Sequence, residues 1–229
     1  ATPEPVASDE SVAAAGTVRK ALEAMLATVT ENESTLGRLD SIAGDGDHGR
    51  GMVRGLRAAC EAVRDTGLGA GQTLRTAGAA WADTGAGSSG VLWGAMLQTA
   101  GSTVGDETVP DSATLARAVR EAADTVSQLG GATAGDKTLL DALLPFADAL
   151  AEATGPVGTA WQRAAQVAAD AAEATKDLLP KVGRARPLGE KSLGTPDPGA
   201  VSLAMCLRAV GGVLETECGP ARADGGERA

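Results

Sequence analysis

Between Leu39 and Gly49 the chain reads Leu39-Asp40-Ser41-Ile42-Ala43-Gly44-Asp45-Gly46-Asp47-His48-Gly49. Three carboxylates and the single histidine of the sequence fall within nine positions. Like charges held this close repel one another unless something strongly positive neutralises them. A hard divalent cation does so, because carboxylate oxygens are its preferred ligands. Glycines at 44, 46 and 49 let the backbone bend and let a ligand approach closely. The competing reading is a solvated acidic turn. Asp45-x-Asp47 has the opening of a calcium loop without its Gly and terminal Glu, which favours Mg2+. His48 either caps the helix that follows or touches a phosphate; ligation of Mg2+ is disfavoured, since that ion prefers oxygen.

Gly85-Ala86-Gly87-Ser88-Ser89-Gly90 matches G-x-G-x-x-G, but it lies between two helical patterns. A dinucleotide fold needs a strand before the glycines, so that reading is excluded. Ser88 and Ser89 stand where a helix begins, where exposed N–H groups suit a phosphate or where the two serines are ordinary caps. No G-x-x-x-x-G-K-[ST] occurs, which closes the P-loop route to nucleotides. A metal-first route stays open, with carboxylates holding Mg2+ and Mg2+ holding phosphates. Gly135-Asp136-Lys137-Thr138-Leu139-Leu140-Asp141 opens another helix, with Asp136 as its N-cap and Lys137 either solvated or reaching a phosphate. Gly130 and Gly131 would let a flat base lie against the backbone.

Helical periodicity supplies the elements that position these residues. Val18, Leu22, Met25, Leu26 and Val29 share one helix face, as do Leu115, Val119, Ala122, Val126 and Leu129. Further helices are predicted over 49–65, 69–83, 88–103, 138–152, 156–178 and 198–214. Asp111-Ser112 reads as an N-cap for 113–129, and Gly130-Gly131 as its stop. No alternating strand is evident, so the chain reads as all-α. Apolar residues make up 43% of the 229, yet aromatics only 2%; the core must be built from Ala, Leu and Val, which suits closely packed helices. Four glycine-rich connections, 42–49, 84–90, 130–137 and 183–199, alternate with the others. In an antiparallel bundle they converge at one end. The last is long and basic, and Met52 reads as core.

The formal net charge is -10, which argues against nucleic acid as a partner. Cys60, Cys206 and Cys218 show no C-x-x-C spacing, so neither zinc nor a disulfide framework is expected. No apolar run of about 18 residues stands out, so no membrane span is expected. A signal peptide's basic and apolar regions are missing, and the expected compartment is the cytoplasm. The chain opens Ala-Thr-Pro-Glu-Pro-Val-Ala without Met. That suggests an excised domain with an interdomain linker over 1–8, a main domain over 9–214 and a flexible tail over 215–229.

Taken in order, four motifs resemble the DhaL-type nucleotide-binding domain of dihydroxyacetone kinases. They are Asp40…Gly44-Asp45-Gly46-Asp47-His48-Gly49, then Gly87-Ser88-Ser89-Gly90, then Gly135 to Asp141, and last Gly183-Arg184-Ala185…Gly189-Glu190-Lys191-Ser192…Asp197-Pro198-Gly199-Ala200. The resemblance implies an eight-helix antiparallel up-and-down barrel that binds ATP or ADP at one end through two Mg2+ ions. It implies Asp40, Asp45 and Asp47 as metal ligands. His48, Gly49 and Arg50 with Ser88 and Ser89 would line the phosphates, and Arg184 would be a phosphate-side contact. Gly130, Thr138 and Leu139 would border base and ribose, with Asp197, Pro198 and Gly199 closing over the nucleotide. In this family the ketose is held covalently by a histidine of a separate K-type domain. The resemblance therefore assigns no substrate-bonding residue to this chain and implies a kinase active only with a K-type partner. ATP is the expected donor; stand-alone members instead keep ADP as a coenzyme recharged by a phosphotransferase-system phosphoprotein. The alternatives are a fatty-acid kinase domain, which carries Thr where this chain has His48, a non-catalytic nucleotide sensor, and a plain acidic scaffold.

Overall fold

A computed structural model of the chain describes residues 7–64, 66–84, 87–183 and 186–218. Among the described residues there are nine α-helices and no strand. They are α1 (Asp9–Glu31), α2 (Glu33–Asp40), α3 (His48–Val63), α4 (Ala70–Ala82), α5 (Gly87–Val104), α6 (Ser112–Gly130), α7 (Leu140–Glu152), α8 (Val157–Ala174) and α9 (Pro198–Glu217). Eight close a ring in chain order, with α1 packing on α3 at one side and on α9 at the other. Ring neighbours run antiparallel: Gly71 meets Gly101 and Gly78 meets Gly94 between α4 and α5, while Gly158 meets Glu215 and Gln162 meets Gly211 between α8 and α9. This is the eight-helix barrel that the sequence leads one to expect.

The ninth helix, α2, was not expected. Leu36 is its one buried residue, too little apolar content to carry a period of 3.6. It begins at Asn32, which also ends α1 and whose side-chain amide donates to the Thr28 carbonyl at 2.8 Å. The predicted caps are present at α6: the Asp111 carboxylate accepts from the Thr114 N–H at 2.7 Å, and Gly131 ends the helix at φ 60°. That left-handed turn suits glycine, which has no Cβ to clash.

Small residues let the helix axes come close, and a few large ones fill what remains. A Cβ on Gly78 would lie 2.6 Å from the Gly94 carbonyl oxygen, so α4 and α5 touch through their backbones. Trp81 and Trp93 stack with centroids 4.9 Å apart, and Trp161 meets Phe146 edge-on at 5.0 Å. Both are favourable aromatic geometries. Leu22, Val29, Met52, Leu56, Leu140 and Leu203 complete the centre.

Two boundary expectations need adjusting. By length and composition alone α9 could cross a membrane, with mean hydropathy 1.3, although no such stretch was expected. Here it packs against α1, α7 and α8. It also runs on to Glu217, whose carboxylate pairs with Lys20 of α1 at 2.7 Å, past the point where the polar tail was to begin. At the other end Ser8, inside the expected linker, caps α1 by accepting from the Ser11 N–H.

Candidate nucleotide and metal site

Antiparallel order puts alternate connections at the same end of the ring. There the α2–α3, α6–α7 and α8–α9 connections, with the start of α5, together line one cavity of about 580 Å3. Small-molecule sites span about 300–1,000 Å3.

The acidic loop joins the end of α2 to the start of α3. Asp40 closes α2, and its Oδ2 accepts from the His48 N–H at 3.2 Å, so a carboxylate sits where the helix N-terminus favours negative charge. Two glycines make the return path possible. A Cβ on Gly44 would lie 2.3 Å from Asp40 Oδ1, and Gly46 has φ 74°. The loop so formed gathers one oxygen from each of Asp40, Asp45 and Asp47 within 4.8 Å of the others. All three residues line the cavity, Asp45 and Asp47 being exposed. An all-oxygen, all-carboxylate donor set fits a hard cation such as Mg2+.

His48 lines the cavity and reaches across to α9, its Nε2 lying 2.9 Å from Ser202 Oγ. Burial pushes its pKa below the ordinary value, against the pull of Asp40, Asp47 and the Pro198 carbonyl. The two residues after it do not line the cavity. Gly49 is buried against α2, where a Cβ would come 2.2 Å from the Glu33 carbonyl oxygen. Arg50 points outward from α3 into a separate groove. Ser88 and Ser89 stand in the first turn of α5 on the cavity wall, beside N–H groups without helical acceptors. Gly130, Thr138 and Leu139 also line the cavity, as do Asp197, Pro198 and Gly199. Arg184 lies outside the described residues, as do Gly85 and Ala86.

The loop before α7 differs from expectation. Asp136 does not cap α7, which starts at Leu140; its carboxylate accepts from the N–H and hydroxyl of Thr133 and faces Lys181 at 3.3 Å. The Thr133 N–H foremost, with Lys181, holds its pKa below the ordinary value. Asp141 takes over the turn by accepting from the Thr138 N–H at 2.7 Å. Lys137 is neither solvated nor unengaged. It is 5% exposed, adopts φ 59°, and donates to the carbonyls of Leu178 at 3.1 Å and Ser192 at 2.7 Å. Both carbonyls belong to the long α8–α9 connection, which is thereby pinned across the cavity.

Asp197 caps α9, its Oδ2 accepting from the Ala200 N–H at 2.8 Å. Burial raises its pKa from 3.8 to about 7, with Asp141 adding to the rise and the Ala200 N–H and Lys137 opposing it. The folded chain therefore holds this proton where the unfolded chain has released it. Stability is unaffected below about pH 4 and declines as pH rises towards 7. Asp197→Asn keeps the cap and removes the titration. We expect its melting temperature to match the wild type near pH 4 and to exceed it at pH 8. A difference that does not grow with pH would contradict this.

The apolar floor of the cavity was not found from motifs. Met52, Trp81, Val126, Ala132 and Leu140 form it, and Met52 is core and cavity wall at once. Trp81 offered the one usable signal, as a large aromatic in a chain with almost none. Arg54, also on the wall, lies in no motif considered above.

The model of the DAK2 domain matches residues 42–212. The D-erythrulose kinase of Mycolicibacterium smegmatis is 50% identical over 211 residues, covering 90% of this chain and 36% of that protein. The chain thus spans little more than a third of that relative. The ADP-binding subunit DhaL of a PEP-dependent dihydroxyacetone kinase from Listeria innocua is 33% identical over 190 residues, covering 82% of this chain and 90% of the subunit. Among solved structures, the dihydroxyacetone kinase of C. freundii in complex with AMP-PNP and Mg2+ superposes with a TM-score of 0.66 at 27% identity, covering 93% of this chain and 35% of that one. Fold, motif order and sequence identity agree: this chain belongs to the DAK2, or DhaL-type, domain family.

Proposed function

We propose that the chain is the nucleotide-holding half of a ketose kinase, presenting Mg-ATP to a hydroxyl of a ketose carried by a separate K-type domain. The observation that carries this reading is the trio of carboxylate oxygens within 4.8 Å of one another, opening onto a cavity lined by three loops and the start of α5. Asp40, Asp45 and Asp47 would hold two Mg2+ ions. When bound, these supply neutralisation of charge on the phosphate oxygens. The remaining work belongs to the chain's own residues and is positional. His48, Ser88 and Ser89 orient the phosphates, with the first-turn N–H groups of α5 as donors. Gly130, Thr138 and Leu139 border base and ribose above the apolar floor, and Asp197, Pro198 and Gly199 close over the nucleotide. Nothing here is assigned as nucleophile; catalysis is orientation and electrostatics.

The 50% identity to a D-erythrulose kinase supports a four-carbon ketose as acceptor. ATP as donor and three free thiols fit the cytoplasm. The test has two stages. Mg-ADP should raise the melting temperature of this chain, and chelation should abolish the rise, because a ligand bound only to the folded state stabilises it. With the K-type domain present, erythrulose and ATP should turn over faster than dihydroxyacetone and ATP. No magnesium-dependent shift would refute nucleotide binding. Turnover with a phosphotransferase-system phosphoprotein but not with ATP would refute the donor.

A further inference from the structure

Among the described residues, three basic side chains line the cavity: His48, Lys137 and Arg54. Two are already engaged. His48 bonds Ser202, and Lys137 donates to two backbone carbonyls. Arg54 makes no hydrogen bond or ion pair among the described residues. It lies in the second turn of α3, exposed, and borders two spaces at once. On one side is the cavity; on the other is a groove that it shares with Arg50, Arg57, Glu33, Glu61 and Thr84.

The fold does not account for this guanidinium. Carboxylates share both spaces with it, Asp40, Asp45 and Asp47 in the cavity and Glu33 and Glu61 in the groove, yet it forms an ion pair with none of them. A planar fork of donors matches the oxygens of a phosphoryl group. Arg54 is exposed where the apolar lining residues are buried, a place at the solvent edge that matches the outer end of a polyphosphate. We infer that Arg54 binds the terminal phosphoryl group of a nucleoside triphosphate and so distinguishes the triphosphate from the diphosphate. The inference rests on the nucleotide-binding reading above.

The experiment is calorimetry on the full chain with Mg-ADP and with Mg-AMP-PNP, at one ionic strength. Arg54→Gln should weaken Mg-AMP-PNP about tenfold or more, the usual worth of a hydrogen bond to a charged group, while Mg-ADP changes less than about twofold. Arg54→Lys should recover part of the loss, since it keeps the charge but not the fork. Arg57→Gln, the same charge change on a neighbour off the cavity wall, should leave both affinities unaltered. Equal loss for both nucleotides, or loss for neither, would overturn the assignment. The Mg-ADP titration also reports that each variant is folded. A wild type that binds neither nucleotide would instead sink the parent reading, and this inference with it.

Discussion

Asp45→Asn or Asp47→Asn should abolish magnesium-dependent nucleotide binding while leaving the helices intact. Each substitution keeps the shape of the side chain and removes one of three anionic donors that lie within 4.8 Å of each other. Removing an outer-shell partner of a metal site costs about 10–100-fold in affinity. Removing a ligand outright should cost more than about 100-fold by the same scale. Both aspartates are exposed, so the ligand-free protein should keep its helix content. In the ligand-free state the carboxylates repel one another by about 1 kcal/mol per pair at the dielectric of water, and Asn relieves part of that. Circular dichroism and calorimetry on the same samples separate the two effects. Unchanged affinity for Mg-ADP would remove Asp45 and Asp47 from the metal site; lost helix content would make them structural.

Gly78→Ala should lower the melting temperature, although alanine is the better helix former. Alanine gains about 1 kcal/mol in an ordinary helix interior. Here its methyl carbon would lie 2.6 Å from the Gly94 carbonyl oxygen and 3.0 Å from the Gln98 backbone nitrogen. Backbone atoms of a neighbouring helix cannot rotate away, so α4 and α5 must separate. Overpacking of this kind costs about 1–3 kcal/mol, and each kcal/mol is about 2–4 °C in a domain of this size. Gly16→Ala is the control of opposite sign. Nothing lies within 4 Å of its added Cβ, so the propensity gain should appear undiminished and the melting temperature should rise. Thermal melts of the two variants beside the wild type decide it. If both substitutions stabilise, the α4–α5 backbone contact is looser than described.

How much of this was legible beforehand depended on the kind of signal each residue carried. Long helices such as α1 and α6 announce themselves by an apolar stripe at a period of 3.6, and Asp111 and Gly131 mark a start and a stop in their own chemistry. The convergence of three loops and the start of α5 followed from antiparallel order alone, and Asp40, Asp45 and Asp47 could be grouped because they are close in sequence. What escaped was long-range or short of apolar content. Helix α2 has Leu36 and little else to bury. Lys137 reads as a surface lysine until its two acceptors, 41 and 55 residues away, are seen. Gly49 resembles a ligand-approach glycine, yet its constraint is the α2 backbone. Arg54 gains meaning only from the cavity it borders.

The two bonds of Lys137 have an evolutionary corollary. Both acceptors are peptide oxygens, present whatever amino acids occupy positions 178 and 192. A clasp of that sort is blind to side-chain identity along the α8–α9 connection, so the segment can diversify while keeping its course over the pocket. Position 137 itself, buried and left-handed, has almost no latitude.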